Sequence, residues 1–321
     1  RFTADGDLLA ELEVPTPQPA VPGAVTMALC EAVEQLDPEA AATCIGVGLP
    51  GPMDAAARVA RVCINLPGWE EVPLADWLEV RLQRSVTLAN DGNCAVVGEA
   101  WHGAARGCSD VVLLTLGTGV GGGVLLGGRL FTGHNGAAAE PGLIGVVPEG
   151  PACNSGNRGS LEQFASIAAL RRLCDREPRE LSAAAAAGDA KARAVWERYG
   201  TQLGYGVASL VYVFTPQRVL LGGGLAGAAE HFHTERLACA NALQLDAGLG
   251  VRAKARRDQT ATRDHASRHC SPFGHEGTIE RRVSRQQAIL RSHADFEVVG
   301  RALRQNSIRA RERQTQTVGC S

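Results

Sequence analysis

The sequence predicts an α/β protein, and three observations carry that prediction. Segments with helical apolar spacing alternate with short apolar runs of strand length. Apolar residues make up 45 % of the 321-residue chain and charged residues 21 %, which suits a folded protein of about two domains. The third observation is the stretch Leu113–Gly123, LLTLGTGVGGG, where a strand-like run of three leucines and Thr115 leads straight into a turn with five glycines and one threonine.

Taken in order, Val25–Leu36 has helical spacing and Thr43–Leu49 reads as a strand ended by Pro50-Gly51-Pro52. An extended piece at Val59–Asn65, a helix at Leu74–Gln83, a strand at Val86–Ala89 and a helix at Gly92–His102 follow. Strands Val111–Leu116 and Gly123–Leu126 flank the glycine run. Leu161–Cys174 and Ala190–Phe214 then read as helices. Arg218–Leu221 is a short buried strand that ends on Gly222, Gly223 and Gly224. From about Val251 no clear apolar period remains, and the arginine-rich tail is expected to be poorly ordered.

Composition narrows the function classes. No stretch approaches the ~20 uninterrupted apolar residues of a membrane span, and the first residues lack the apolar core of a signal peptide, so a soluble cytoplasmic protein is expected. The ten cysteines form no CxxC pair and read as reduced buried thiols, not as a disulfide framework. Residues 251–321 hold 15 Lys and Arg against 7 Asp and Glu, which leaves 17 against 27 in the first 250. An acidic body argues against nucleic-acid binding by the main fold. The basic tail reads as a solvated charged segment, the alternative being one that binds RNA or an anionic surface.

The glycine run has two readings. Without Cβ atoms, the N–H groups at Thr118, Gly119 and the following glycines can approach a phosphate together; alternatively the run is a tight hairpin. Its spacing matches neither GxxxxGK[ST] nor GxGxxG before a helix, because VLLGGRLF after it reads as another strand. Asn90-Asp91 lies between a strand and a helix, at the sheet edge where α/β proteins bind ligands, with a helix N-cap as the plainer reading. Glu140 and Glu162 lie in loops of small residues that admit a polar ligand, each alone reading more simply as a surface or capping residue.

In order, the chain presents GVGLPGPMD, NLPGW, ANDGNCA, LGTGVGGGVLLGGRLFTGHNGAAAEPG, NRGSLEQFAS and LLGGGLAG. This series closely resembles the ROK (repressor, open reading frame, kinase) family of sugar kinases over roughly residues 5–240. The resemblance implies an actin-like (ribonuclease H-like) two-domain ATPase fold with a sugar in the cleft and ATP with Mg²⁺ as phosphoryl donor. The domains would be a small one at 1–90 and a large one at 91–250, followed by the tail at 251–321. By position, Asp91 matches the catalytic base and Asn90 its sugar-binding neighbour. Glu140 and Glu162 match carboxylates that accept from sugar hydroxyls, and Gly51 and Asn65 fall in loops that close on the sugar. Thr118 and Gly119 match the phosphate-contacting turn, and Gly222, Gly223 and Gly224 the turn near the adenosine.

The chain departs from the family pattern in three places. Leu143 stands where the family has a histidine that serves sugar and zinc. The CxCGxxGC zinc cluster appears as Cys153-Asn154-Ser155-Gly156-Asn157-Arg158-Gly159-Ser160, one thiol with two serines, so no zinc is expected. The family's opening DxGGT phosphate loop does not precede Arg1, and a truncated or frameshifted kinase product is the expectation that follows. The leading function is ATP-dependent phosphorylation of the 6-hydroxyl of a hexose, glucose first, in a possible homodimer. The alternatives are an inactive member that retains sugar binding and a sugar-responsive repressor, whose helix-turn-helix is not seen ahead of Arg1.

Overall fold

Three separate sets of buried apolar residues organise the described chain, one drawn from residues 20–88 and two from residues 96–232, on opposite faces of one sheet. The computed structural model describes residues 1–63, 65–232 and 250–253. Most of the expected tail therefore lies outside the described residues. Gly250–Ala253 does not follow that expectation, because it forms a strand of the main sheet.

The first set begins with helix α1 (Pro22–Leu36), which opens on a proline whose missing N–H costs nothing at that position. Val25, Leu29, Cys30 and Ala32 form its buried stripe. Strand β1 (Cys44–Leu49) pairs in parallel with β4 (Ser85–Asn90), while β2 (Ala60–Val62) and β3 (Glu70–Val72) form a small antiparallel ribbon. Helix α2 (Leu74–Leu82) buries Leu74, Ala75, Leu78 and Leu82 against the same core. Arg58 ties the ribbon to α2 through Asp76 at 2.5 Å and Glu79 at 2.6 Å. The register of β1 and β4 sets Leu49 beside Asn90, so both strands end together at the sheet's carboxyl edge.

Helix α3 (Asp91–His102) leaves that edge and packs on a second, five-stranded sheet. Its order is β7 (Arg129–Leu130), β6 (Val120–Leu126), β5 (Val111–Leu116), β8 (Arg218–Gly222) and β9 (Gly250–Ala253). Strands β5, β8 and β9 are parallel, and β6 is antiparallel to β5 and β7. Strand β5 is apolar on both faces because both are covered. Val112, Leu114 and Leu116 join the core beneath the long helix α7 (Ala190–Phe214), whereas Val111 and Leu113 join the core beneath α3. Each such buried side chain contributes roughly 1.5–3 kcal/mol of apolar transfer.

Three local readings are corrected. The single helix expected over Leu161–Cys174 is two, α4 (Glu162–Ala165) and α5 (Ile167–Leu173), broken at Ser166 in extended conformation, whose hydroxyl caps Ala169 N–H. A further helix, α6 (Pro178–Ala186), starts with a capping box that the sequence reading passed over. The glycine run is not one turn. Gly117–Gly119 form the bend, while Gly121–Gly123 lie inside β6, paired with Leu113–Thr115. The short helix α8 (Ala229–Phe232) completes the described core against Trp196 and Tyr199 of α7.

The strand glycines have a packing reason. A Cβ on Gly92 of α3 would collide with the carbonyl of Gly122 and lie 2.8 Å from its nitrogen. One on Gly122 would lie 2.7 Å from Pro141 and strike the Leu113 carbonyl. Backbone thus meets backbone at the start of α3. Gly98, on the same helix, has open space around it. Gly92→Ala is expected to destabilise the protein by about 1–3 kcal/mol, whereas Gly98→Ala stabilises it by about 0.5–1 kcal/mol through helix propensity. Thermal unfolding of the two variants checks this opposition in sign.

Candidate active site

The ND pair divides its work between its two residues. Asn90, not Asp91, caps α3: its Oδ1 accepts from Gly92 N–H at 2.8 Å and Asn93 N–H at 3.2 Å. Its Nδ2 donates to the Gly51 carbonyl at 3.2 Å. Gly51 has φ +93°, and a side chain there would strike the Val62 carbonyl, so the turn after β1 is held between β2 and the start of α3. Asp91 occupies the first helical position, where its Oδ1 accepts from Gly92 N–H at 2.9 Å.

Glu140 reaches the same place from the far side of β6. It follows Ala139, which adopts φ +65°, and it precedes the one-turn helix Pro141–Leu143, closed by Leu143 N–H to the Glu140 carbonyl at 3.0 Å. Gly142 sits so close to β6 that a Cβ would strike the Val120 carbonyl. Burial, then the charges of Asp91 and Glu162, push the Glu140 carboxyl above its ordinary range. The three carboxylates therefore share one electrostatic neighbourhood.

Glu162 arrives with α4. Tyr199 of α7 is fully buried and donates from Oη to the Ala165 carbonyl at 2.9 Å, while Leu161 lies against Gly206 of the same helix. From that anchored position Glu162 Oε2 accepts Val120 N–H at 3.0 Å. The bend above it is tight, with Gly117 N–H donating to the Gly119 carbonyl at 3.0 Å and Thr118 exposed. The second glycine turn lies alongside. Gly222 is in register with Thr115, and Gly223, at φ +84°, would strike Leu116 if it carried a side chain. Both turns thus close the carboxyl ends of adjacent parallel strands.

The structure gathers Asn90, Asp91, Gly51, Glu140, Glu162 and Gly119 through these contacts, with Thr118 and Gly222–Gly224 at the neighbouring strand ends. Asn65 is exposed in the turn after β2, and none of these contacts involves it. Cys63 was not anticipated. Its buried thiol donates to the Pro50 carbonyl at 2.8 Å, and burial, then the charge of Asp91, push it up to about 11. The apolar segment around it carried no sign of this role.

The loop with the altered zinc motif closes by other means. Ser160 Oγ donates to Cys153 Sγ at 3.1 Å, Cys153 N–H to the Asn157 carbonyl at 2.8 Å, and Gly159 N–H to the Pro151 carbonyl at 2.8 Å. Burial alone would raise the Cys153 thiol, and hydrogen bonds with Ser155 and Ser160 outweigh it and hold the thiol below its ordinary value. One thiol with hydroxyls and Leu143 is a poor donor set for Zn²⁺. Among the described residues no group of three or more His, Cys, Asp or Glu is placed to hold a metal ion.

The ROK family model matches residues 2–254. A glucokinase from Thermotoga maritima is 39 % identical over 206 residues, 58 % of this chain and 65 % of the relative. That match spans just under two thirds of the relative's length. Among solved structures, the ROK hexokinase from Thermus thermophilus is 38 % identical with a TM-score of 0.65 and covers 74 % of this chain and 83 % of its own. A ROK family glucokinase from Streptomyces griseus, in complex with glucose and AMPPNP, is 31 % identical with a TM-score of 0.63, covering 77 % and 85 %.

The raised Glu140 carboxyl has a measurable consequence. An acid whose pKa rises on folding binds its proton more tightly in the folded state, so it favours folding below its ordinary range and loses that contribution as pH rises through the raised value. Above its ordinary range Glu140 is therefore a liability to the fold. Glu140→Gln is expected to raise the melting temperature by about a few degrees at neutral pH, and the gain should shrink towards about pH 4. Equal gains at both pH values would contradict the assignment.

Proposed function

The chain belongs to the ROK family, and from that premise we propose that it transfers the γ-phosphate of ATP to the 6-hydroxyl of a hexose, glucose foremost. The observation that supports this most is the convergence of Asp91, Glu140 and Glu162 beside two glycine turns. Phosphoryl transfer is largely positioning and charge stabilisation, so a carboxylate base beside a backbone cradle meets its main demands.

In this reading Asp91 takes the proton from the 6-hydroxyl as it attacks. The capping work falls on Asn90, which leaves Asp91 at the helix start with its carboxylate beside the cleft residues Cys63 and Glu140. Glu140 and Glu162 accept hydrogen bonds from other hydroxyls of the sugar. Asn90 and Gly51 form the wall opposite, already joined to each other, with Asn65 at its rim. Thr118 and Gly119 receive the phosphates, and Gly222, Gly223 and Gly224 the adenosine end. Magnesium carried in with the nucleotide would be held mainly by phosphate oxygens and water, and would supply charge neutralisation.

The same reading divides the chain into a small domain at 1–90 and a large one at 91–250. It places the protein in the cytoplasm, and among the described residues no helix is long and apolar enough to cross a membrane. It allows a homodimer, for which exposed Tyr205, Tyr212 and Val213 on α7 offer a contact. The altered Cys153 loop stands without zinc.

Two outcomes follow. Asp91→Asn should lower kcat for glucose phosphorylation by about 10²–10⁴-fold while glucose still binds, as read by a coupled ADP assay and by calorimetry; retained turnover would remove Asp91 from that role. Metal analysis of the purified protein should return well below one zinc per chain, and stoichiometric zinc would contradict the hydrogen-bonded loop.

A further inference from the structure

Glu162 stands directly against the bend assigned to phosphate. Its Oε2 accepts Val120 N–H, and a side chain added at Gly119 would collide with that same oxygen. Five residues on, the break at Ser166 turns Ile167 N–H towards the Gly117 carbonyl, which it reaches at 2.8 Å. Residues 162–167 therefore grip the bend at both of its ends. The grip is anchored from behind by Tyr199 on the Ala165 carbonyl.

Clamping alone needs no charge, since a neutral acceptor would also satisfy Val120 N–H, though with a weaker bond. The side chain that reaches the bend is nevertheless an acid. A carboxylate at this distance opposes the approach of phosphate oxygens, and in a partly buried cleft that repulsion is weakly screened. Hydroxyl donors on the carboxylate stabilise its charge locally and weaken its field at the bend.

We propose that Glu162 is an electrostatic gate that makes nucleotide binding depend on hexose. With only Val120 N–H donating to its carboxylate, phosphates are disfavoured at Gly117–Val120; with hexose hydroxyls donating to it as well, they are accepted. The gate rests on the hexose-kinase reading above and deepens it, by giving Glu162 a role towards the second substrate. Because coupling between sites is reciprocal, nucleotide must tighten hexose by the same factor.

The test is titration of the full chain with AMPPNP and Mg²⁺, with and without saturating glucose, alongside adenosine as a ligand without phosphates. Glucose should raise AMPPNP affinity at least about fivefold and leave adenosine affinity unchanged. Glu162→Gln keeps an acceptor for Val120 N–H and removes the charge. It should bind AMPPNP more tightly than the wild type in the absence of glucose and gain little when glucose is added. A purely structural Glu162 would instead give a variant that binds AMPPNP no better or worse. If the wild type binds glucose and AMPPNP independently, or if glucose tightens adenosine as much as AMPPNP, the gate is wrong and the kinase reading stands. If the wild type does not bind glucose at all, the kinase reading fails and the gate with it. The adenosine comparison uses only the wild type, so it decides the matter even if the variant does not fold.

Discussion

The contact on which the site depends is backbone against backbone, where the first turn of α3 lies on β6 at Gly92 and Gly122. A side chain at Gly92 would push the helix off the strand, and one at Gly122 would strike the Leu113 carbonyl and Pro141. Because the turn is seated that low, Asp91 sits over the same strand whose Val120 carries Gly142 on its carbonyl and Glu162 on its N–H. One strand of seven residues therefore sets the mutual positions of three acids that come from three distant parts of the chain. The packing that seats them is dense enough for small changes of volume to be felt at the site.

Gathering three carboxylates opposes folding, and the structure shows what sustains it. Glu140 carries the strain as a raised pKa, Glu162 is stabilised by Val120 N–H, and Asp91 accepts from Gly92 N–H at the start of a helix, where the axial dipole favours an anion. The apolar layers on both faces of β5 supply the stability that such a site draws on. Charge that is unwelcome in the empty fold becomes useful when a polyhydroxylated ligand brings donors to it. The family relationship and the glucose-bound relative give that ligand class its support.

Much of this was legible in the sequence. The alternation of the main strands and helices, the two glycine turns and the presence of acids at 91, 140 and 162 were visible, because apolar periodicity and motif order survive in one dimension; α6, β3 and α8 were not. Other features were not, for physical reasons. Propensity made Leu161–Cys174 one helix, and the tertiary bond from Ile167 to Gly117 broke it at Ser166. Gly121 and Gly122 read as part of a turn because glycine is poor in strands, whereas Gly122 and Gly123 are there for the close approach of the Pro141 turn and of α3. Which member of the ND pair caps the helix depends on backbone angles that a dipeptide does not encode. Residues Gly250–Ala253 looked like the start of a tail, being short and carrying an arginine, and edge pairing with β8 made them a strand.

The most direct test of the central claim is a crystal structure of this chain with glucose and AMPPNP bound together. The account predicts the 6-hydroxyl within hydrogen-bond distance of Asp91, with Glu140 and Glu162 on other hydroxyls and the phosphates over the Thr118–Gly119 bend. Glucose bound away from the three acids, or phosphates remote from that bend, would contradict it.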